Sequence, residues 1–552
     1  MGKITRIDLS GDRLISIALK MADDHNYIGA LKMLNNLTGR EELSLDALSL
    51  YAEIYDDLGL YEKCINGWFY FLDSVISEDL SDCYEGLAVS YMNLGMDNFA
   101  AYYYNKLLEE ANGVSAEERE SILRDFLSTE ENPLKFAYPP AVADCSQIIS
   151  DGISYMKAGD FDKAEEEFEQ VADGNPSYTA ARNYIAMCKI VADKLDEAEQ
   201  ECKALLSRDP QNVQAMTTLA ACYSERGDVE AAANLARLLV DLDVEDQDEI
   251  YKIATVCCEN KMHKEAYSMF SKLSGDIIYD KNIMYFKAVA AYNSGKINEA
   301  FDEFDKLLAI YPEAVIARYH YDSARTAADE GREEELSYFY RLPQEIREDN
   351  LNVLSSYLAF PKTQAKKLYT AEQLERCVTW CFDEVDGRSG GDLQRVALMV
   401  AVKADLDSLV AKYMLDAFLP DEIKIELLTV IIDRNEGVDM GVVICNIYKN
   451  VSIEPLIIGR EKRKKFLGAY ANLCSHFVIL NACNGYKIKA AAESAYLKLK
   501  EEGKLNLAND ASALAAAIYI KSDVREAGIN GKKIYTFFDV TEDRVNRILE
   551  VL

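Results

Sequence analysis

The chain has 552 residues, 49% of them hydrophobic, so it is too long for one compact core and too apolar for a disordered acidic polymer. Its 60 Lys and Arg stand against 94 Asp and Glu, and the net charge of −34 argues against a whole-chain binder of nucleic acid or anionic membrane. With only 10 prolines and 27 glycines, long helices are expected over short strands.

From the N-terminus, small residues precede a bulky one at Ala30, Cys64 and Ala100, then at Ala164, Ala198, Ala232, Ala266 and Ala300. The second group is spaced by 34 residues throughout, and Ala30 to Cys64 is the same interval. A fixed period of this size predicts stacked helical hairpins, each a helix A, a turn and a helix B. Gly59, Gly95, Gly159, Gly227 and Gly295 fall in the A–B turn, where a left-handed residue is cheapest as glycine. The small residue marks the helix crossing. Trp68, Tyr104, Phe168, Phe270 and Phe304 follow one turn later on the same face, and Pro176, Pro210 and Pro312 end helix B.

These residues resemble the tetratricopeptide repeat. Gly152, Tyr155, Gly159, Ala164, Phe168 and Pro176 match one unit, Leu219, Tyr223, Gly227 and Ala232 another, and Leu87, Tyr91, Gly95 and Ala100 a third. Asp193 and Lys261 replace the turn glycine in other units, and Cys202 fills an aromatic slot. The resemblance spans roughly residues 11 to 345. It implies an all-α solenoid and a non-enzymatic scaffold that holds a peptide or partner helix in its concave face.

Ala100 to Ala164 is four residues short of two periods, so two blocks are expected, residues 1–128 and 145–345. Between them a helix from Ser115 to Phe126 leads to a linker at 129–144 containing Pro133, Pro139 and Pro140. The concave face should be lined by helix A. In the first block those positions are Asp46, Glu53, Asp56, Asp57, Asp82 and Glu85, a surface suited to a basic segment. In the second they are Asn183, Met187, Gln214, Thr217, Tyr251, Thr255, Asn282, Tyr285 and Tyr292, with tyrosines offering flat area and a hydrogen-bonding tip. The basic clamp by which some family members grip acidic tails is missing.

Residues 346–456 lose the period but keep helical spacing over 392–404, 406–418, 421–433 and 438–448, as either HEAT-like hairpins continuing the solenoid or a capping bundle. Residues 457–552 form a further helical domain. This segment holds 16 Lys and Arg against 11 Asp and Glu, with a basic cluster from Arg460 to Lys465. Ala490-Ala491-Ala492-Glu493, Ala515 to Ile520 and Lys532 through Val545 resemble a cyclin-box repeat. The tail also reads as a helix-turn-helix with Ile534, Phe538, Val540, Val545 and Ile548 as core and Thr541 as cap. An alternative function follows, a transcriptional regulator that touches DNA through this domain while the repeats sense a partner. The exposed set Glu542, Asp543, Arg544, Asn546, Arg547 and Glu550 is poorly charged for that task.

Thirteen cysteines without a CxxC pair suit a reducing cytoplasm, and neither an N-terminal signal segment nor a membrane span is expected. Cys377 and Cys381 lack further ligands nearby, so they are read as core. Only four histidines exist, and Cys474 with His476 would point to different helix faces. No nucleotide loop or nucleophile elbow is found; neither catalysis, cofactor nor metal is expected.

Overall fold

The computed structural model describes residues 11–37, 43–75, 79–110, 147–169, 178–273, 275–384, 391–434, 437–480, 485–522 and 531–552. The expected helix at 115–126, the linker at 129–144 and Pro176 lie outside them. The chain divides into two compact units, one formed by residues 1–141 and 342–552 and the other by 142–341.

Three hairpins open the first unit: α1 (Gly11–Asp23) with α2 (Tyr27–Asn35), α3 (Leu45–Asp57) with α4 (Tyr61–Ser74), and α5 (Ser81–Asn93) with α6 (Asp97–Glu110). The second unit repeats the scheme. It pairs α7 (Gln147–Lys157) with α8 (Phe161–Glu169), α9 (Tyr178–Val191) with α10 (Leu195–Arg208), and α11 (Val213–Arg226) with α12 (Val229–Val240). Then come α13 (Gln247–Glu259) with α14 (His263–Lys272), α15 (Lys281–Asn293) with α16 (Ile297–Ile310), and a final helix A, α17 (Val315–Glu330).

The small residues at the crossings are what lets each pair close. Ala30, Cys64, Ala100, Ala164, Ala198, Ala232, Ala266 and Ala300 are all fully buried. Five residues before each, the backbone is left-handed. Glycine holds this conformation at 59, 95, 159, 227 and 295, but His25, Asp193 and Lys261 hold it as well, with φ of 57°, 58° and 55°. The hairpin therefore imposes the turn even where a side chain resists it, at about 1 kcal/mol. Replacing Asp193, which is exposed, by Gly should raise the stability of the second unit by about 0.5–1 kcal/mol in a thermal melt.

The remainder of the first unit continues with α18 (Gln344–Ala359), α19 (Lys362–Leu368), α20 (Ala371–Asp383), α21 (Gly391–Ala404), α22 (Asp407–Met414) and α23 (Asp421–Asp433). Lys403 of α21 ties α18 down by donating to the carbonyls of Tyr357, Leu358 and Phe360 at 2.6–2.9 Å, a charged cap on that helix's free carbonyls. Cys377 and Cys381 sit in the core of α20, at 1% and 0% exposure.

The helix expected over 438–448 is instead a β-hairpin, β1 (Val438–Ile444) and β2 (Ile447–Ile453), paired antiparallel with Ile444 opposite Ile447. The run is rich in β-branched residues, and Cys445 and Asn446 both take positive φ (53° and 57°), the geometry of a two-residue turn whose twist matches the strands. This hairpin returns the chain to its first block. Asn446 accepts from Tyr91 Oη through its side chain (3.0 Å) and from Tyr103 Oη through its carbonyl (2.7 Å). Tyr448 donates to Asp73 on α4 (3.1 Å), and Asn66 of the same helix donates to Asp416 (3.1 Å). Gly441 lies against Asp73 so closely that a Cβ would collide with its carboxylate. Residues from 342 onward thus pack with residues 11–110 in one unit.

The chain closes with α24 (Arg463–Leu480), α25 (Gly485–Glu501), α26 (Ala511–Lys521), α27 (Gly531–Phe537) and α28 (Glu542–Leu549). Ile534, Phe538, Val545 and Ile548 are buried in this bundle, while Val540 is half-exposed. Thr541 occupies the N-cap of α28, but its side chain makes no capping bond, so the expected role is not fulfilled. Among the described residues, no helix is long and apolar enough to cross a membrane.

Candidate protein-interaction surface

The A helices carry the predicted groove residues, and the two units treat them differently. In the first unit Asp46, Glu53, Asp57, Asp82 and Glu85 are exposed on α3 and α5, and Asp56 is half-buried. The β-hairpin takes its contacts from Asp73 on α4, Tyr91 on α5 and Tyr103 on α6, and Asn66 of α4 holds Asp416, so these carboxylates remain open to solvent. Glu53 is exposed, yet partial desolvation, then Asp82 and Asp57, push its carboxyl above the usual range. Burial, then Asp57, does the same to Asp56, whose Oδ1 has no hydrogen-bond partner among the described residues. An acid whose folded pKa is raised binds protons on folding. These two groups therefore cost stability once pH rises through that raised range, and the cost persists at neutral pH.

In the second unit, Asn183, Thr217, Tyr251 and Tyr285 stand 34 residues apart on successive A helices, α9, α11, α13 and α15. Asn183 is 4% exposed and its amide oxygen has no partner among the described residues. Thr217 is buried and spends its hydroxyl on the carbonyl of Gln214 (2.9 Å), while the Gln214 amide donates to Thr218 (3.3 Å). Thr255 donates to the Tyr251 carbonyl (3.0 Å), and Tyr251 packs on Phe270. Met187 and the half-buried Asn282 are accessible on the same face.

Tyr285 and Tyr292 do not line an open groove. Tyr285 is fully buried and donates to the carbonyl of Ser337 (2.7 Å); Tyr292 is 6% exposed beneath α17, its hydroxyl aimed at the Ala324 carbonyl. The segment covering Tyr285, residues 332–341, has no helical period and carries no signal in the sequence that places it there. Burial holds the His263 ring beside it below the usual histidine range, against the opposing pull of Glu335.

The C-terminal features are more committed than their sequence suggested. Arg544 on α28 gives two bonds of 2.8 Å to Asp510, which also caps α26, so one of two bases on the supposed recognition helix is used internally. Arg460, Lys462, Arg463, Lys464 and Lys465 surround a cleft of about 400 Å³ with Asp433, which Arg463 approaches at 3.5 Å. His476 bonds the Asn472 carbonyl (3.0 Å) and packs against Phe537 and Phe538. No group of three or more metal-ligating side chains occurs among the described residues.

Stacked A–B hairpins with small-residue crossings and left-handed turns define a helical-repeat scaffold. Family models identify the repeat as the tetratricopeptide repeat, over residues 151–213 and again over 192–256. Residues 151–256 thus consist of tetratricopeptide repeats, the architecture of a protein–protein interaction scaffold. A search of curated proteins gives no match. Among solved structures, a tetratricopeptide protein of Thermus thermophilus is 18% identical over 32% of this chain and 97% of its own, with a TM-score of 0.26. One from Parabacteroides merdae is 17% identical over 47% and 91%, with a TM-score of 0.21. Yeast Tom70 is 14% identical over 96% and 94%, with a TM-score of 0.28.

Proposed function

We propose that this chain is a non-catalytic scaffold that holds segments of partner proteins on its A-helix faces, and that it works in the cytoplasm. The observation that carries the reading is the column Asn183, Thr217, Tyr251 and Tyr285. Its last member already holds a peptide carbonyl, and its first presents a buried amide oxygen with no donor among the described residues. Such an acceptor costs about 1–3 kcal/mol when left unpaired; it has no solvent access in this structure, so a backbone N–H from an extended segment would pair with it after a rotation of the side chain. On the first unit the carboxylates of α3 and α5 favour a basic segment. They repel one another and reduce stability, a cost that binding of a cation would remove.

The test has two arms, after crosslinking of the intact chain identifies the co-purifying segment. Asn183→Leu with Met187→Glu should weaken its binding about ten-fold, or about 1.4 kcal/mol. Glu53→Gln with Asp56→Asn should weaken an Arg- and Lys-rich segment about as much at low salt, while raising thermal stability by about 0.5 kcal/mol. Affinity unchanged in both arms, with the helical signal intact, rejects the reading.

A further inference from the structure

In the second unit the A-helix face is occupied at its end by the chain itself. After α17 no helix B follows. Residues 332–341 instead run without helix or strand, and side chains of the repeats grip their backbone. The Asn293 amide forms a two-way pair with Leu336, donating to its carbonyl and accepting from its N–H, each at 2.9 Å. Tyr285 donates to the Ser337 carbonyl at 2.7 Å, and His320 meets the Arg341 carbonyl at 3.0 Å.

Side-chain recognition is added along the segment. Lys261 pairs with Glu335 at 2.9 Å, Leu336 is buried to 3% exposure, and the Tyr338 hydroxyl bonds His263 Nδ1 at 2.8 Å with the two rings stacked. Glu334 accepts from Ser323 Oγ at 2.6 Å and Tyr340 packs edge-on against Tyr285 with Lys281 Nζ over its ring, while Phe339 is 81% exposed. Alternate side chains from Glu334 to Tyr340 turn inward, and the backbone is gripped as well by Asn293, Tyr285 and His320, which is how an extended peptide is held in a groove.

We propose that residues 332–341 are a resident ligand of the second unit's A-helix face, and that the face exchanges them for a partner segment of the same chemistry. That segment is extended and carries a carboxylate directly before a leucine, with a tyrosine two positions after the leucine. The inference rests on the reading of the A-helix faces as contact surfaces and names what one of them recognises. Tethering gives the resident segment an effective concentration of about millimolar, so a free competitor of equal contacts is excluded until the tethered copy is weakened.

The probe is a fluorescent peptide with the sequence of residues 332–341, titrated into the full chain and followed by anisotropy. Leu336→Ala with Tyr338→Ala should bind it at least about ten-fold more tightly than the unaltered chain, and adding Asn293→Ala should abolish the gain. A double variant that keeps its helical signal and does not bind the peptide overturns the proposal, because the segment is then only packing. Hydrogen exchange on the unaltered chain decides the matter if that variant unfolds. Exchange of the Leu336 amide through an opening easier than that of the α15 amides supports exchange of ligands; equal protection overturns it. The Asn183 and Glu53 arms of the earlier test are read on other residues, so failure here leaves that reading standing.

Discussion

Asn446→Ala is expected to destabilise the unit of residues 1–141 and 342–552 by about 2–5 kcal/mol. Two losses add. Alanine at a φ of 57° meets its own carbonyl, at about 1–2 kcal/mol, where asparagine tolerates the left-handed region. The Tyr91 hydroxyl, on a side chain with no solvent exposure, also loses its acceptor at 3.0 Å, at about 1–3 kcal/mol. Asn446→Gly separates the two, because glycine keeps the turn and loses only the bond; it should cost about 1–3 kcal/mol. The readout is selective. The chain has two tryptophans, Trp68 and Trp380, and both lie in this unit, so their fluorescence in urea follows its unfolding without that of the other. A midpoint shift equivalent to less than about 0.5 kcal/mol for Asn446→Ala would show that the hairpin does not anchor the first block.

The repeats are legible in the sequence because every hairpin needs the same two local solutions. A small residue at the crossing and a left-handed residue five positions earlier recur at one spacing, so Asp193 and Lys261 are identifiable as turn residues from register alone, against their propensity. The hairpin at 438–453 is not. Its apolar residues fit a helical spacing as well as an alternating one, and only the β-branched excess with Asn446 separates the two. Its destination is beyond reach of pattern reading, since Asn446 meets Tyr91 across 355 positions. The same holds for the segment 332–341. Its run of three glutamates before Leu-Ser-Tyr-Phe-Tyr reads as a solvated connection, and nothing local announces that Asn293 will hold its backbone. The groove residues do fall on A helices as their register requires, but Tyr285 and Tyr292, expected on an open face, are closed over by tertiary contacts.

Lys424 is the second site where a large effect is expected, and it carries a distinct pH signature. Its side chain has no solvent exposure; Nζ donates to the Val443 carbonyl at 2.7 Å and lies 3.6 Å from Asp421. Asp421 in turn accepts from the Cys445 N–H at 2.8 Å, so the amine and the carboxylate together hold β1 against α23. Lys424→Met keeps the volume but strands the carbonyl, at about 1–3 kcal/mol by the same tryptophan readout. Adding Asp421→Asn removes the carboxylate's uncompensated charge while retaining an acceptor for Cys445. The double variant should be less impaired than the sum of the singles, by about 0.5–3 kcal/mol. Desolvation lowers the Lys424 pKa, with Asp421 opposing. A base whose folded pKa is depressed holds fewer protons folded than unfolded, so its contribution to stability grows as pH rises from that depressed value toward the ordinary 10.5. Buried tyrosines such as Tyr91 and Tyr103, and Cys83, are pushed the other way by burial and lose stability in alkali. The lysine's share therefore emerges only as a difference. The stability gap between the unaltered chain and Lys424→Met should widen with pH below 10.5, and a gap that stays constant across that range would mean the amine is charged in the folded unit.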